Sequence, residues 1–188
     1  MSELSATSPL AHRGGTLPAV WQSTDLRMTE QTLHVLSLRL SRSSAPSEIG
    51  ARLGVALPAL NSALAMRGGW VVGTEPKAWL IFSNVDVHCE LGAILADIPA
   101  TVGLVTDLSS QLSSIAISGT DATRVIASGC AVDLHASAFQ TGSAASSRLS
   151  DVSVLIVKTA EEPAFLLSCE RTFAVYVWDW LLQAASYS

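Results

Sequence analysis

Apolar residues follow two periods along the chain, alternation in short runs and a spacing of three or four in longer ones, and these periods predict strands and helices. The run "TLHVLSLRLS" at 32–41 alternates, which predicts a strand with one solvated face. The next segment favours a short helix that begins at Pro46 or Ser47. The run "GGWVVGTEPKAWLIFS" predicts a hairpin whose turn is set by Gly73 and Pro76.

A longer helix is predicted in "VDVHCELGAILADI", because its apolar residues fall on one stripe. The stripe consists of Val87, Leu91, Ile94, Leu95 and Ile98. Beyond it, strands are predicted near 101–107 and 113–118, in "VSVLIVK" and in "AFLLSCE", with the turn "TAEEP" between the last two. With the helices described next, the order strand, helix, strand, strand, helix occurs about twice.

The helix in the middle of the second half is predicted from "SGTDATRVIASG". Ser118 and Asp121 match a capping box, and the carboxylate also favours the positive helix end. Gly129 is expected to end this helix in a left-handed conformation. Residues 1–30 contain Gly and Pro breaks, but they are expected to dock because four of their apolar side chains would be costly in water. These are Leu10, Leu17, Val20 and Trp21.

The predicted fold class is α+β, with antiparallel sheets and helices on one face, built from two split βαβ-like units. The predicted divisions are an extended segment at 1–30, a first unit at 31–100 and a second unit at 101–188, all within one compact domain. Because strands do not alternate singly with helices, the pattern argues against a Rossmann sheet.

The last predicted helix, "RTFAVYVWDWLLQAA", is apolar over roughly 220° of its circumference, about twice what a helix covered from one side needs. Two surfaces are therefore expected to cover it. One alternative is the chain's own sheet together with the N-terminal segment, and the other is a second protein chain. The candidate interface residues in the second case are Val175, Trp178, Leu182 and Trp21.

Composition narrows the classes of function. Only 14% of the 188 residues are charged, where about 25% is typical. Hydrophobic residues reach 49%, and the mean hydropathy is +0.40. Apolar runs stay far below the roughly 20 residues of a membrane span, and no secretory signal is predicted. A net charge of −5 with scattered arginines argues against nucleic acid, so the apolar surface favours permanent contact with other subunits.

Chemistry-bearing side chains are few and scattered. The candidate bases at neutral pH, each expected to be structural, are His12, His34, His88 and His135. Three cysteines without a Cys-x-x-Cys pair are expected to be reduced in a cytoplasmic protein: Cys89, Cys130 and Cys169. The pair Glu161–Glu162 lies in a predicted turn, and no phosphate-binding glycine motif occurs. No catalytic, cofactor-binding or metal-binding residue is therefore predicted.

The segment "DLSSQLSSIAISGTDATRVIASGCAVDL" at 107–134 resembles the domain that opens the glycine-cleavage T-protein and related aminomethyltransferases. There, Asp-hydrophobic-Ser leads into a strand and Ser-Gly-x-Asp-Ala begins a helix. The stretches "GCAVDLHASAF" and "FAVYVWDWLLQAA" are more specifically similar to the gamma subunits of heterotetrameric sarcosine oxidases. The residues that match the first pattern are Asp107, Ser109, Ser118, Gly119, Asp121, Ala122, Asp133 and Leu134.

This resemblance implies a subunit of a flavoprotein complex that oxidatively demethylates sarcosine to glycine. The complex passes the one-carbon unit to tetrahydrofolate and electrons to oxygen. Alpha, beta and delta subunits are the implied partners. FAD, FMN, NAD, zinc and tetrahydrofolate are expected in those subunits, and this chain is expected to bind none of them and to contribute assembly and stability.

The T-protein has paired aspartates, one of them catalytic, at the start of the strand that corresponds to "LSDVSVLIV". Aligned on that strand, the pair falls at about Ser153 and Val154. Asp151 is two or three residues away, and an odd shift turns a strand side chain to the opposite face. The resemblance therefore implies an aminomethyltransferase frame that has lost its catalytic acid.

Two alternatives stay open. The first is the corresponding subunit of a complex that oxidises another N-methyl amino acid, such as N-methylglutamate. The second is a free-standing folate-binding protein of the aminomethyltransferase type. Its site would lie near Trp70 or Trp79, with Arg67 available for the glutamate tail of folate.

Overall fold

The computed structural model describes residues 8–11, 13 and 18–187, and this part of the chain contains eleven strands and four α-helices. Predictions that concern His12 and Leu17 lie outside the described residues. The strands are β1 (Val20–Gln22), β2 (Arg27–Gln31), β3 (His34–Leu40), β4 (Ala63–Met66), β5 (Gly69–Glu75), β6 (Ala78–Ser83), β7 (Gly103–Asp107), β8 (Leu112–Ser118), β9 (Ala144–Leu149), β10 (Val152–Ala160) and β11 (Ala164–Glu170). The helices are α1 (Pro46–Leu53), α2 (Val85–Ala96), α3 (Ala122–Ala127) and α4 (Ala174–Ser186), the last preceded by a 3₁₀ turn at Arg171–Phe173.

The strands pair antiparallel in two sheets. The first sheet has the order β4-β5-β6-β3-β7, and the second has the order β1-β2-β8-β11-β10-β9. On the first sheet, Ile49 of α1 and Leu91 of α2 share a buried cluster with Leu38 and Ile81 of the strands. Helices α3 and α4 pack on the second sheet in a larger cluster. The predicted α+β class, with helices on one face of each antiparallel sheet, is confirmed.

The other faces of the two sheets pack against each other. Val35 and Phe82 of the first sheet join Val157 and Leu166 of the second in this shared cluster. Val35, one of the apolar residues of the predicted alternation, is covered by the second sheet, so β3 is buried on both faces at this point. The protein therefore has four layers. Helices α1 and α2 cover the outer face of the first sheet, and α3 and α4 cover the outer face of the second sheet.

The two halves of the chain follow the same path. The first runs β3-α1-β4-β5-β6-α2 and the second runs β8-α3-β9-β10-β11-α4. In each half the four strands have the same spatial order, β4-β5-β6-β3 in one sheet and β9-β10-β11-β8 in the other. The repeat predicted from the sequence is thus present, with one additional strand in each half.

The division between the halves differs from the boundaries predicted at 1–30, 31–100 and 101–188. Strand β7 belongs to the first sheet, because it pairs with β3. Strands β1 and β2 lie within the predicted extended segment but belong to the second sheet, because β2 pairs with β8 along its whole length. Pairing between distant segments leaves no mark on the local apolar period, and the actual division lies between β7 and β8.

A reciprocal pair of backbone hydrogen bonds joins the two halves edge to edge. The Ala63 amide donates to the Gly142 carbonyl at 2.7 Å, and the Ala144 amide donates to the Asn61 carbonyl at 2.9 Å. Asn61 and Gly142 both adopt left-handed backbone angles, with φ of 60° and 85°. Because these residues occupy equivalent places just before β4 and β9, the contact relates the two halves by an approximate two-fold axis.

The N-terminal segment docks on the second half, as predicted. Leu10 is fully buried in the same cluster as Val177 of α4. The Arg13 guanidinium pairs with the Asp179 carboxylate at 2.7 Å and ties the segment to α4. Trp21 packs against this cluster and stays partly exposed. The chain itself therefore provides much of the second covering surface that α4 requires.

Two predicted details of α3 are wrong. Ser118 ends β8, and Asp121 at the N-cap makes no side-chain capping bond; its carboxylate pairs with Arg124 at 2.7 Å. Gly129 has no left-handed backbone angle. Its role is steric, because a Cβ at this position would overlap the indole ring of Trp180 and force the end of α3 away from α4.

Two details of the first half also differ from the prediction. The β5–β6 turn consists of Pro76 and Lys77, and Lys77 takes the left-handed angle at φ 62°. Gly73 lies within β5, where a Cβ would overlap the Ala59 carbonyl. A glycine at this position therefore lets the backbone around Ala59 pack closely against β5. On α2, Ile94 of the predicted apolar stripe is exposed, whereas the other stripe residues are buried or half-buried.

Candidate functional site

A polar cluster lies where β3 begins and β7 ends, beneath α2. The rings of His34 and His88 lie against each other at a tilt of 35°, with centroids 4.7 Å apart. His88 Nε2 lies 3.2 Å from Asp107 Oδ2. The other oxygen of Asp107 accepts hydrogen bonds from the Ser109 hydroxyl at 2.6 Å and from the Ser109 amide at 2.8 Å. The Asp-hydrophobic-Ser sequence noted above thus forms a closed turn after β7.

The hydrogen bonds of Ser109 hold the pKa of Asp107 below its ordinary value; partial burial opposes this effect, and the nearby His88 supports it. The Ser109 hydroxyl also accepts a hydrogen bond from the Val35 amide at 3.0 Å. It thus acts as a donor to Asp107 and as an acceptor from Val35, and both bonds are structural contacts. This turn therefore fixes β7 and β8 against β3.

Replacing Ser109 with alanine is expected to raise the pKa of Asp107 toward 3.8. A carboxylate with a lowered folded-state pKa stabilises the protein above its unfolded-state pKa, and this stabilisation is lost as pH falls through the folded value. The variant should therefore be less stable than the wild type at pH 7, and the difference should narrow below about pH 4. Carbon-13 NMR titration of the Asp107 carboxyl measures the shift, with Ser110→Ala as the matched control. An unchanged Asp107 pKa in Ser109→Ala would contradict the assignment.

A cavity of about 640 Å³ adjoins this cluster and is lined by residues from both sheets, including Glu30, His34 and Arg171. Glu30 is buried, and its carboxylate accepts hydrogen bonds from the Ser8 hydroxyl and, at 3.3 Å, from the Ala19 amide. These bonds satisfy the buried charge and hold the N-terminal segment on β2. Sequence reasoning missed Glu30, since nothing in "RMTEQ" marks its carboxylate as buried.

The positions that correspond to the catalytic pair of the T-protein offer no carboxylate to a cleft. Ser153 is exposed on β10, and Val154 is buried in the core of the second half. Asp151 lies in the β9–β10 turn with its side chain 91% exposed, 3.7 Å from Arg148. A solvated aspartate in a turn lacks the desolvating surroundings that tune a catalytic carboxylate.

The remaining candidates from the sequence lie apart from one another. The His135 ring bonds the Ser137 hydroxyl at 2.7 Å, and Glu161 and Glu162 are exposed in a turn. Burial raises the pKa of the Cys169 thiol to about 11, with Glu170 adding to the effect, so this thiol stays protonated at neutral pH. Within the described residues, no three His, Cys, Asp or Glu side chains gather as a potential metal-binding group.

The residues named for a folate site are engaged in packing. Trp79 is buried, and its indole N–H donates to the Pro58 carbonyl at 2.8 Å. Trp70 packs against the cluster between the sheets. Arg67 forms an ion pair with Glu90 on α2. The buried indole of Trp79 is closed to a pterin ring, Trp70 is partly exposed, and the guanidinium has a carboxylate partner.

The four candidate interface residues do not have equal exposure. Trp178 is 1% exposed and packs in the core of its own chain, so its prediction as an anchor for another subunit is wrong. Val175, Leu182 and Trp21 pack against the same core and are partly exposed, and their role at an interface stays a prediction. The outer side of the last helix instead presents aromatic rings. These are Phe173, Tyr176 and Tyr187, with Trp180 partly exposed between them.

None of the described helices has the length and apolar character needed to cross a membrane. Besides the cavity next to His34, the described residues provide three surfaces or packed turns: the aromatic side of α4, the outer edges of the sheets, and the turn around Asp107. Each of these can hold another protein segment or a neighbouring strand in place.

Comparison with known proteins gives this architecture a family. A model of the sarcosine oxidase, gamma subunit family matches residues 50–187. A sarcosine oxidase subunit gamma from Corynebacterium sp. (strain P-1) is 30% identical over 138 residues. That match covers 71% of this chain and 66% of the relative, just under two thirds of its length.

Solved structures extend the likeness to nearly the whole chain. A chain of the heterotetrameric sarcosine oxidase from Corynebacterium sp. U-96 is 26% identical, with a TM-score of 0.81 over 97% of this chain and 95% of that one. The glycine cleavage system aminomethyltransferase T from Bartonella henselae shares the fold with a TM-score of 0.59, over 81% of this chain and 44% of that one, at 13% identity. Because the family model matches residues 50–187, which is most of this chain, the chain belongs to the sarcosine oxidase gamma subunit family.

Proposed function

We propose that this chain is the gamma subunit of a heterotetrameric sarcosine oxidase and that it supplies assembly and stability to the complex. The observation that carries the proposal is the match, over 97% of this chain, to a chain of a solved heterotetrameric oxidase. In this proposal the resemblance to aminomethyltransferase T concerns the frame, since the sequence resemblance puts the acidic pair at about Ser153 and Val154.

The geometry of the polar groups supports a packing role. Ser109 and Glu30 bond groups on distant segments of the chain, the Val35 amide and the Ser8 hydroxyl, and Asp107 holds Ser109 in place through its amide and hydroxyl. The exposed aromatic rings on α4 are the residue types that commonly anchor protein interfaces. The low share of charged residues, 14%, is also typical of a chain with surface to cover.

The proposed partners are the alpha, beta and delta subunits of the oxidase. In this proposal FAD, FMN, NAD, zinc and tetrahydrofolate are bound by those subunits. The chemistry is then oxidative demethylation of sarcosine to glycine, with the one-carbon unit passed to tetrahydrofolate and electrons to oxygen. This chain contributes no group to the reacting atoms.

Purification of the affinity-tagged chain from its native lysate tests the proposal. The expected product is a yellow complex of four different subunits that forms hydrogen peroxide when sarcosine is added. A tagged chain that purifies alone and colourless from a lysate with sarcosine oxidase activity would contradict it. Parallel assays with N-methylglutamate and other N-methyl amino acids identify the substrate, because a complex that oxidises only another amine would place this chain in a related oxidase.

A further inference from the structure

The outer edge of β7 is an open strand edge. The two sheets correspond strand for strand as far as β7 and β2, which flank the equivalent strands β3 and β8. In the second sheet one more strand, β1, pairs antiparallel with the outer edge of β2. Within the described residues, no strand takes the corresponding place beside β7. The first sheet therefore has five strands where the second has six.

The hydrogen bonds of β7 show which groups face outward. Ser41 N donates to Val102 O at 2.9 Å, and Leu108 N donates to Val35 O at 2.8 Å. In an antiparallel pair every second residue bonds to the neighbouring strand. The register between these two bonds therefore makes Leu104 and Thr106 the residues of β7 that bond to β3. The N–H and C=O groups of Val105 and Asp107 consequently point away from the sheet. These groups are the usual template for an added strand.

The sequence of β7 does little to protect this edge. Natural sheets block open edges with lysine, proline or very short strands. The Gly103 amide on this edge donates to the Pro99 carbonyl at 3.1 Å, so the open outward positions of β7 are Val105 and Asp107, and the strand is five residues long, against three in β1. Leu104 lies beside this edge with 63% of its surface exposed, so an added strand would cover an apolar side chain as well.

We propose that an extended segment of another oxidase subunit pairs with β7, antiparallel, as the sixth strand of the first sheet. This inference rests on the proposed function. The recognised chemistry is a run of about five residues with free backbone groups and an apolar side chain that covers Leu104. The second sheet shows the same arrangement made by the chain itself, with β1 on β2. The complex thereby completes a symmetry that the strands of the described residues leave incomplete.

Hydrogen exchange at single-amide resolution in the purified complex tests the proposal. The amides of Val105 and Asp107 are expected to exchange at least about 100-fold more slowly than that of Gln22, which faces outward on the edge strand β1. A complex that contains the chain but leaves Val105 and Asp107 as fast as Gln22 would overturn the strand addition while the proposed function stands. Failure to obtain any flavin-containing complex would overturn the proposed function itself. Protection in the isolated chain that rises with its concentration would show pairing of two copies and overturn the proposal.

A pair of variants at one position provides the second test. Val105→Pro removes the outward N–H, and Val105→Ala keeps it while removing most of the side chain. Proline is tolerated on an edge whose N–H makes no bond within the sheet. Val105→Pro is expected to weaken capture of the chain by its partners at least about tenfold, and Val105→Ala by less than about twofold. Equal capture of both variants, with circular dichroism showing both folded, would contradict the added strand. If Val105→Pro does not fold, the exchange experiment on the wild-type complex decides.

Discussion

Replacing Trp178 with alanine is expected to lower the free energy of unfolding by about 3–5 kcal/mol, the cost of emptying a large buried site. Trp178 has 1% of its surface exposed and packs within the cluster that joins α4 to the second sheet. Since a domain of this kind is stable by about 5–15 kcal/mol, this single change removes a large part of the total. Urea unfolding followed by far-ultraviolet circular dichroism measures the effect without relying on the deleted fluorophore.

Phe173→Ala, in the 3₁₀ turn that leads into α4, is the matched control. Phe173 is 46% exposed, so its replacement should cost about 1 kcal/mol or less. If both variants unfold at the same urea concentration as the wild type, Trp178 is not a core residue. The comparison also separates stability from assembly, because Phe173 lies on the exposed aromatic side of α4 and Trp178 does not.

Gly119→Ala is expected to cost about 3 kcal/mol, a large effect for the addition of one methyl group. Gly119 has φ of +119°, which side chains rarely adopt, and an added Cβ would overlap the backbone carbonyl of Asp25 in the β1–β2 turn. A carbonyl cannot rotate away as a flexible side chain can. The Gly119 amide also donates to the Pro163 carbonyl at 3.0 Å, which fixes the strand end on its other side.

Gly54→Ala separates the two causes of this loss. Gly54 ends α1 with φ of +66°, but a Cβ there has open space around it. Only the backbone preference is lost, so a cost of about 1 kcal/mol is expected. Thermal or urea unfolding of both variants gives the comparison, and equal losses would show that the contact with Asp25 is unimportant. The glycine of the Ser-Gly-x-Asp-Ala pattern is thus explained by its backbone angle and its contact with the Asp25 carbonyl, without a catalytic role.

Local patterns predicted much of the fold. The apolar runs of β5, β6, β10 and β11 and the long stripe of α2 are strong signals, because each segment buries a full face. Strand β9 was missed since its sequence "AASSRL" has small and polar residues at an edge of the sheet. Strand β2 was missed because its partner β8 lies far along the chain. A short strand stabilised by a distant neighbour has no period of its own.

The candidate site was less accessible from the sequence. The resemblance at Asp107 and Ser109 was visible, but the bonds that make this turn a structural joint depend on the Val35 amide and on His88. The helical wheel correctly indicated two-sided covering of α4 and could not say which chain provides it. Trp178 was therefore taken as an interface residue, although Leu10 and the second sheet bury the same cluster. The open edge of β7 follows only from the sheet order.

The pairing of β2 with β8 also affects how this protein is made. Met28 lies opposite Ile117, so β2 is synthesised roughly 90 residues before its partner. At about 5–20 residues per second, the delay is on the order of 5–20 s. During that time the first sheet can assemble as far as its own strands allow, while the N-terminal strands and Leu10 wait without a surface to cover them. Until translation passes β8, these strands expose unpaired edges and apolar side chains, the features that make incomplete chains prone to aggregation.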